Sequence, residues 1–302
     1  MIETRAATTS ALPRMVAVSG GEFRFLTVHL LRRLAVESSH LGRVPEVIEV
    51  SDGRALPASC DCLVEAGEIR IQDADVPGVR QDLSCMEPCL EWSWSMERPV
   101  WRGAYIRHGL IVAADCGKAH VLGPIRALRI PGVRHVEAIL PAVAAALSWG
   151  VQPRVVRDVL QAWAGPEHML QWRGEQDGVA LFDDGATCTA DGLDRALSAF
   201  DQRVVLVTGG QGFHAGFELL DRIRSCTARV VLLPGTPEWV ATTWGHMADA
   251  VCSRDLADAA EIARDRTPAG GQVLFCPGCL PRDGEPGLVQ RGDQFAKEFL
   301  KA

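Results

Sequence analysis

The sequence predicts an α/β fold in two parts: a small α/β domain over residues 1–131 and a Rossmann-like α/β domain with a mostly parallel sheet over residues 132–302. Three observations carry this expectation. From Gly178 onward, short apolar runs alternate with helical patterns, and alternation on this spacing builds a parallel sheet covered by helices. Near the N-terminus an apolar run, a glycine pair and an amphipathic stretch follow one another as strand, turn and helix. The length of 302 residues, with 47% hydrophobic and 23% charged residues, is enough for two packed cores and argues against a disordered chain.

Taken in order, residues 1–14 read as a loose lead. Met15-Val16-Ala17-Val18 is a strand ending in Ser19-Gly20-Gly21, and Leu26, Leu30, Leu31 and Leu34 then share one helical face. Val44 to Val50 and Cys62 to Ala66 are the next strands. Glu68 to Arg107, rich in Trp, Cys, Pro and charge, has no clean period and reads as short strands and loops. Leu110 to Ala114 is a strand. The character changes at Pro131-Gly132, where the domain boundary is placed. Val136 to Trp149 is a helix with five alanines and no glycine, and Pro153 opens a second helix that reaches Trp163. Strands follow at Val179–Phe182, Val204–Thr208, Val230–Leu233 and Gln272–Phe275. Helices follow at Ala190–Ala199, Glu218–Cys226, Asp255–Arg266 and Gly287–Lys301, with Asp191 a candidate N-cap of the first.

Charge and hydropathy exclude some functions. A net charge of −7 argues against a general nucleic-acid binder. No apolar run reaches the length of about 18 residues that spans a bilayer, and the first residues lack the apolar region of a signal peptide. The expectation is a cytoplasmic protein whose ten cysteines are mostly free thiols.

Five segments fall in the order of a known family. They are "GVRHVEAILPAVAAALSWGV" (132–151), "GPEHML" (165–170), "GVALFDDGAT" (178–187), "VLVTGGQGFHAGFELL" (205–220) and "VLFCPGCLPRDGEPGLVQRGDQFAKEF" (273–299). Together they resemble the C-terminal domain of the Mur ligases. There they match a His-Asn helix, a Gly-x-x-His-Arg turn, an Asn-Asp-Ser-Lys-Ala-Thr strand end, a Gly-Gly-x-x-Lys loop, and a Ser-Pro-Ala loop with an Arg-Gly helix. "MVAVSGGEFRFLTVHLLRRL" (15–34) resembles, less closely, the strand, P-loop and helix of the family's ATP-binding central domain. The stretch from that loop to His135 is short for that domain, and the family's N-terminal nucleotide-sugar domain has no counterpart.

The resemblance implies an ATP-dependent amide ligase, yet the residues that such chemistry needs are eroded. A P-loop cradles phosphates with glycine amides, a lysine and a Ser/Thr on magnesium. Here the positions read Gly20, Gly21, Glu22, Phe23, Arg24, Phe25 and Leu26, with one glycine and one positive charge surviving from the motif. In the C-terminal part, Val136 replaces the asparagine after His135, and Met169 the arginine after His168. Gly185 and Ala186 replace the Ser-Lys pair, Phe213 the loop lysine, Cys276 a serine and Arg282 an aromatic residue.

The reading is therefore a catalytically degenerate Mur-ligase-like protein that binds a partner protein, a second copy of itself or a small ligand, with no cofactor, nucleic acid or membrane. Gly20, Gly21, Arg24, Glu65, His135 and His168 mark the degenerate nucleotide site. Asp183, Asp184, Thr187, Gly209, Gly210, His214, Arg282 and Asp283 are candidates for a retained ligand cleft. No catalytic residue and no metal ligand is assigned. The alternative is a divergent carboxylate–amine ligase outside standard peptidoglycan synthesis. It would use ATP, with Arg24 and Arg282 in place of the lysines and magnesium on Glu65. A third possibility, unrelated chemistry on the same scaffold, has no motif behind it.

Cys60, Cys62, Cys85 and Cys89 offer four thiols to a zinc ion but lack the paired Cys-x2-Cys spacing, so zinc is the weaker reading. Trp92, Trp94 and Trp101 fit either a partner surface or a core.

Overall fold

The structure is a computed structural model. It describes residues 15–18, 24–37, 46–49, 62–65, 68–71, 92–116, 118–132, 134–213, 219–247, 249–281 and 287–301; at 15–18, 24–26, 46–49, 62–65, 68–71, 134 and 247 it describes the backbone alone. The chain divides into two compact units: residues 1–128 with 136–163, and residues 129–135 with 164–302. The division near Leu128 lies close to the boundary expected at 131/132. The helical segment 136–163, however, returns to the first unit instead of opening the second.

In the first unit, β1 (Met15–Val18) leads to α1 (Arg24–Glu37), then β2 (Glu46–Glu49), β3 (Cys62–Glu65) and β4 (Glu68–Ile71). The sheet order is β2-β1-β3-β4, with β1 parallel to both β2 and β3 and β4 antiparallel to β3. The leucines at 30, 31 and 34, which share a helical face in the sequence, are fully buried. A second sheet runs β5 (Ser93–Ser95), β6 (Gly103–Arg107), β7 (Leu110–Asp115) and β8 (Lys118–Pro124). Strands β6 to β8 form an antiparallel meander. The turn from β6 to β7 is His108-Gly109, both at positive φ (50° and 73°), the backbone that a two-residue hairpin requires.

Helix α2 (Arg134–Ser148) is buried nearly all round, from Val136 to Leu147, as expected of a helix apolar on every side. Helix α3 (Pro153–Ala162) starts on Pro153, where a missing N–H costs nothing. Trp163, just after it, donates its Nε1–H to His29 Nδ1 at 2.9 Å.

The second unit holds β9 (Gln171–Gln176), β10 (Val179–Asp183), α4 (Ala190–Ser198), β11 (Val204–Thr208), α5 (Leu220–Cys226), β12 (Thr227–Leu232), α6 (Glu238–Met247), β13 (Ala250–Cys252), α7 (Leu256–Asp265), β14 (Gln272–Phe275) and α8 (Leu288–Phe299). Its sheet order is β13-β12-β11-β14-β10-β9, parallel except for the β9–β10 pair. The mostly parallel sheet follows the expectation. Strand β9, helix α6 and strand β13 are additions to it. The core is built from Val205, Val207, Val231, Val273 and Phe275 with helix residues Ala259, Ala263, Phe295 and Phe299. Helix α4 is capped by Thr189, whose side chain accepts from the Gly192 N–H, so Asp191 lies in the first turn instead of at the cap. Among the described residues, no helix is long and apolar enough to cross a membrane.

Candidate functional site

Two corners at the carboxyl ends of the second unit's strands hold the polar residues. The first forms where β10 ends. Its last residue, Asp183, and the next, Asp184, are both buried. Asp183 Oδ2 lies 2.8 Å from His168 Nδ1 and 3.2 Å from an Arg173 guanidinium nitrogen, and Oδ1 accepts the Gly185 N–H at 2.9 Å. Burial pushes the Asp183 carboxyl above its ordinary range; the Gly185 N–H, His168 and Arg173 pull against that.

Asp184 faces another way. It accepts the Leu170 N–H at 3.0 Å and the Cys276 thiol at 3.4 Å, and Thr187 hydrogen-bonds it as well. Burial raises its carboxyl to about 6 against these three donors, and the neighbouring Asp183 charge adds to the rise. The Cys276 thiol is pushed well above the usual range, first by its own burial and then by Asp184. A buried thiol held in that state is not a nucleophile.

Helix α8 closes this corner at Gly292. A Cβ on Gly292 would stand 2.5 Å from both Asp183 Oδ2 and His168 Nδ1. The Arg-Gly pair of the sequence thus has a physical reason: the helix backbone touches the carboxylate–imidazole pair, and only glycine leaves room. Arg291 turns inward and donates to the Cys279 carbonyl at 2.8 Å. Asp293 turns outward and takes the second arm of Arg173 at 2.7 Å. Glu167, His168, Gln171, Trp172, Arg173, Val289 and Asp293 line a polar cleft of about 340 Å³.

The second corner is the loop after β11. The Gly209 N–H donates to the Pro277 carbonyl at 3.0 Å and the Gly210 N–H to Thr236 Oγ1 at 2.9 Å. Phe213, at the position where the resemblance expects lysine, is fully buried. It lies edge-on to Trp244 with ring centroids 5.3 Å apart, and its Cε2 stands 3.2 Å from where a Cβ on Gly278 would lie. Cys279 Sγ lies 3.5 Å from the Gly209 carbonyl. Cys276 and Cys279 are buried thiols outside any disulfide, directed to different partners.

Of the sequence candidates, His168, Asp183, Asp184 and Thr187 meet in the first corner, and Gly209 and Gly210 form the second. His135 is buried at the start of α2, and burial alone pushes its imidazole down to about 3. It is thus neutral. Gly20, Gly21, His214, Arg282 and Asp283 lie outside the described residues, as do the side chains of Arg24 and Glu65. Cys60, Cys85, Cys89 and the Cys62 side chain lie outside them too; among the described residues, no cluster of three His, Cys, Asp or Glu could hold a metal ion. Sequence reasoning missed Arg173, Gln171 and Asp293. Arg173 and Asp293 are 120 residues apart, and no local pattern links them.

With the geometry in hand, the relatives can be placed. No family model matches the chain. Curated relatives do: it is 26% identical over 210 residues to the UDP-N-acetylmuramoylalanine–D-glutamate ligase of Syntrophus aciditrophicus, covering 69% of this chain and 46% of that one. To the Chlorobaculum tepidum ligase of the same name it is 28% identical over 244 residues, covering 76% and 52%. Among solved structures, it resembles a UDP-N-acetylmuramoylalanyl-D-glutamyl-2,6-diaminopimelate–D-alanyl-D-alanyl ligase from Acinetobacter baumannii, with a TM-score of 0.52 at 12% identity over 96% of this chain and 76% of that one. It also resembles the MurF ligase of Thermotoga maritima in complex with ADP, with a TM-score of 0.50 at 16% identity over 94% and 79%. At these identities the solved structures establish the fold.

In fold and in the order of its strand-end motifs the chain is similar to the Mur ligase family. Within that family the curated relatives just named are ligases that carry glutamate in their names, and the chain spans about half their length.

Proposed function

We propose that this protein is a non-ligating member of the family, which binds a small ligand or a protein partner without forming an amide bond. The observation that carries this reading is the packed glycine loop. Phosphoryl transfer depends on donors and cations aimed at developing negative charge. Here the Gly209 and Gly210 N–H groups are spent inside the protein, and a buried Phe213 fills the place of a cation. A loop filled in this way does not fit a bound anion such as a substrate carboxylate, and no step through ATP or magnesium is derived. Phe23, Phe25 and Leu26 in the N-terminal glycine motif support the same conclusion from sequence.

The deciding experiment is calorimetric titration of Mg-ATP into the natural chain and into a Phe23→Gly, Arg24→Lys, Phe25→Thr variant. The expected result is no saturable heat from the natural chain. Saturable binding by the natural chain, with phosphate release on adding carboxylate and amine substrates, would overturn the proposal and favour a divergent ligase.

A further inference from the structure

In the first unit, side chains of helix α1 make two polar contacts with the segments of α2 and α3. Thr27 Oγ1 donates to the Ala138 carbonyl of α2 at 2.7 Å, and His29 Nδ1 accepts the indole N–H of Trp163, just after α3, at 2.9 Å. A hydroxyl and a carbonyl do not titrate, so the first contact is the same at any ordinary pH. The second is not, because its chemistry fixes the state of the ring. An indole N–H only donates, so the nitrogen that receives it carries a lone pair. The His29 ring is therefore neutral, with its hydrogen on Nε2. Imidazolium bears a hydrogen on both nitrogens and has no acceptor left. A proton added to Nδ1 would point at the indole N–H across the same 2.9 Å.

The surroundings offer the charged ring little compensation. Trp163 is buried and His29 half-buried, with ring centroids 6.1 Å apart and planes tilted by 30°. A cation gains from an indole over its face, whereas this contact holds the imidazole at the N–H edge. The charged groups of α1 and the elements packed on it are of both signs. Helix α1 itself carries Arg32, Arg33 and Glu37, and α3 carries Arg154, Arg157 and Asp158. Arg33 pairs with Glu37, and Asp158 stands within ion-pair range of both Arg154 and Arg157. On α2, Glu137 is exposed; strand β1 has no charged residue, and Arg24 of α1 and Glu46 and Glu49 of β2 have side chains outside the described residues.

We propose that His29 and Trp163 form a proton-sensitive latch: the neutral imidazole holds α1 against α3, and protonation releases it. The contact favours the neutral ring, so it is present at higher pH and lost as pH falls through the imidazole titration. Helix α1 begins at Arg24, within the N-terminal glycine motif, so the latch governs how firmly the helix of that motif is anchored. It acts whether or not the protein ligates.

The test compares backbone amide exchange of the full natural chain with that of His29→Gln, at about pH 8 and about pH 5, on either side of an ordinary imidazole titration. The glutamine amide oxygen can accept the Trp163 N–H at both values, and the ratio of the two proteins at one pH cancels the intrinsic exchange rate. In α1 the ratio of natural chain to variant should rise roughly five- to tenfold at the lower pH, the worth of one buried hydrogen bond. In α8 it should not change. An α1 ratio that is the same at both pH values would overturn the proposal. A second measurement needs no variant at the histidine: nitrogen-detected NMR of the natural chain, with the Trp163 indole signal assigned by its loss in Trp163→Phe. Nδ1 of His29 should carry a lone pair at the higher pH, and the Trp163 indole N–H should shift with the same midpoint as the imidazole. A hydrogen on Nδ1 at the higher pH, or an indole signal that ignores the imidazole titration, would likewise overturn it.

Discussion

The two corners of the second unit's sheet start from the same scaffold and end in opposite states. Both lie where parallel strands terminate, the place where open α/β sheets bind ligands. At the β11 loop the polar backbone is turned inward and the site is filled by Phe213 on Trp244. At the β10 end the side chains remain ionisable: two buried carboxylates, an imidazole and a guanidinium, opening on a polar cleft. One corner is packed as core while the other carries charged groups.

The sharpest way to break the comparison is to restore a cation at the filled corner. Phe213→Lys places a charge in an apolar enclosure and should destabilise the protein by about 3 kcal/mol or more, read from the midpoint of urea unfolding. If the variant is as stable as the parent, the corner is not core. A smaller effect is expected at the charged corner. The Asp184 carboxyl titrates at about 6 when folded and at its ordinary 3.8 when unfolded. The folded chain therefore holds the extra proton between these values, and stability falls as pH rises through that window. Asp184→Asn should flatten that part of the stability–pH curve; an unchanged slope would place the titration elsewhere. The smallest effect belongs to Thr236, which receives the Gly210 N–H and donates to the Leu233 carbonyl. Thr236→Val should cost about 1 kcal/mol in the same unfolding assay, and no loss would mean that water replaces the hydroxyl.

The central strands of the second unit were legible because a strand buried on both faces is an unbroken apolar run, as in VVLVT at 204–208. Strand β9 was not: QWRGEQ has neither an apolar run nor alternation, and its residues are half-buried at best. Its signal lay in the turn, since Asp177-Gly178 between β9 and β10 is a hairpin dipeptide with both residues at positive φ. Missing that hairpin concealed Gln171 and Arg173, and with them half of the charged corner. The strand-end aspartates were legible as residues but not as roles. That Asp183 meets His168 and Asp184 meets Cys276 depends on contacts 15 and 92 residues apart. Helix α6 and strand β13 were hidden by sparse patterning: EWVATTWGHM carries two threonines and a glycine, and AVC is three residues long.

Strand β9 has one more consequence. A parallel sheet ends in a row of unpaired N–H and C=O groups that invites strands from other molecules. Here that margin is a polar antiparallel strand bearing Arg173 and Glu175, with a register irregularity opposite it between Leu181 and Phe182. Charge along a border discourages a second chain from adding to it. The arginine that walls the cleft thereby also helps to keep one copy of this protein from templating the misassembly of the next.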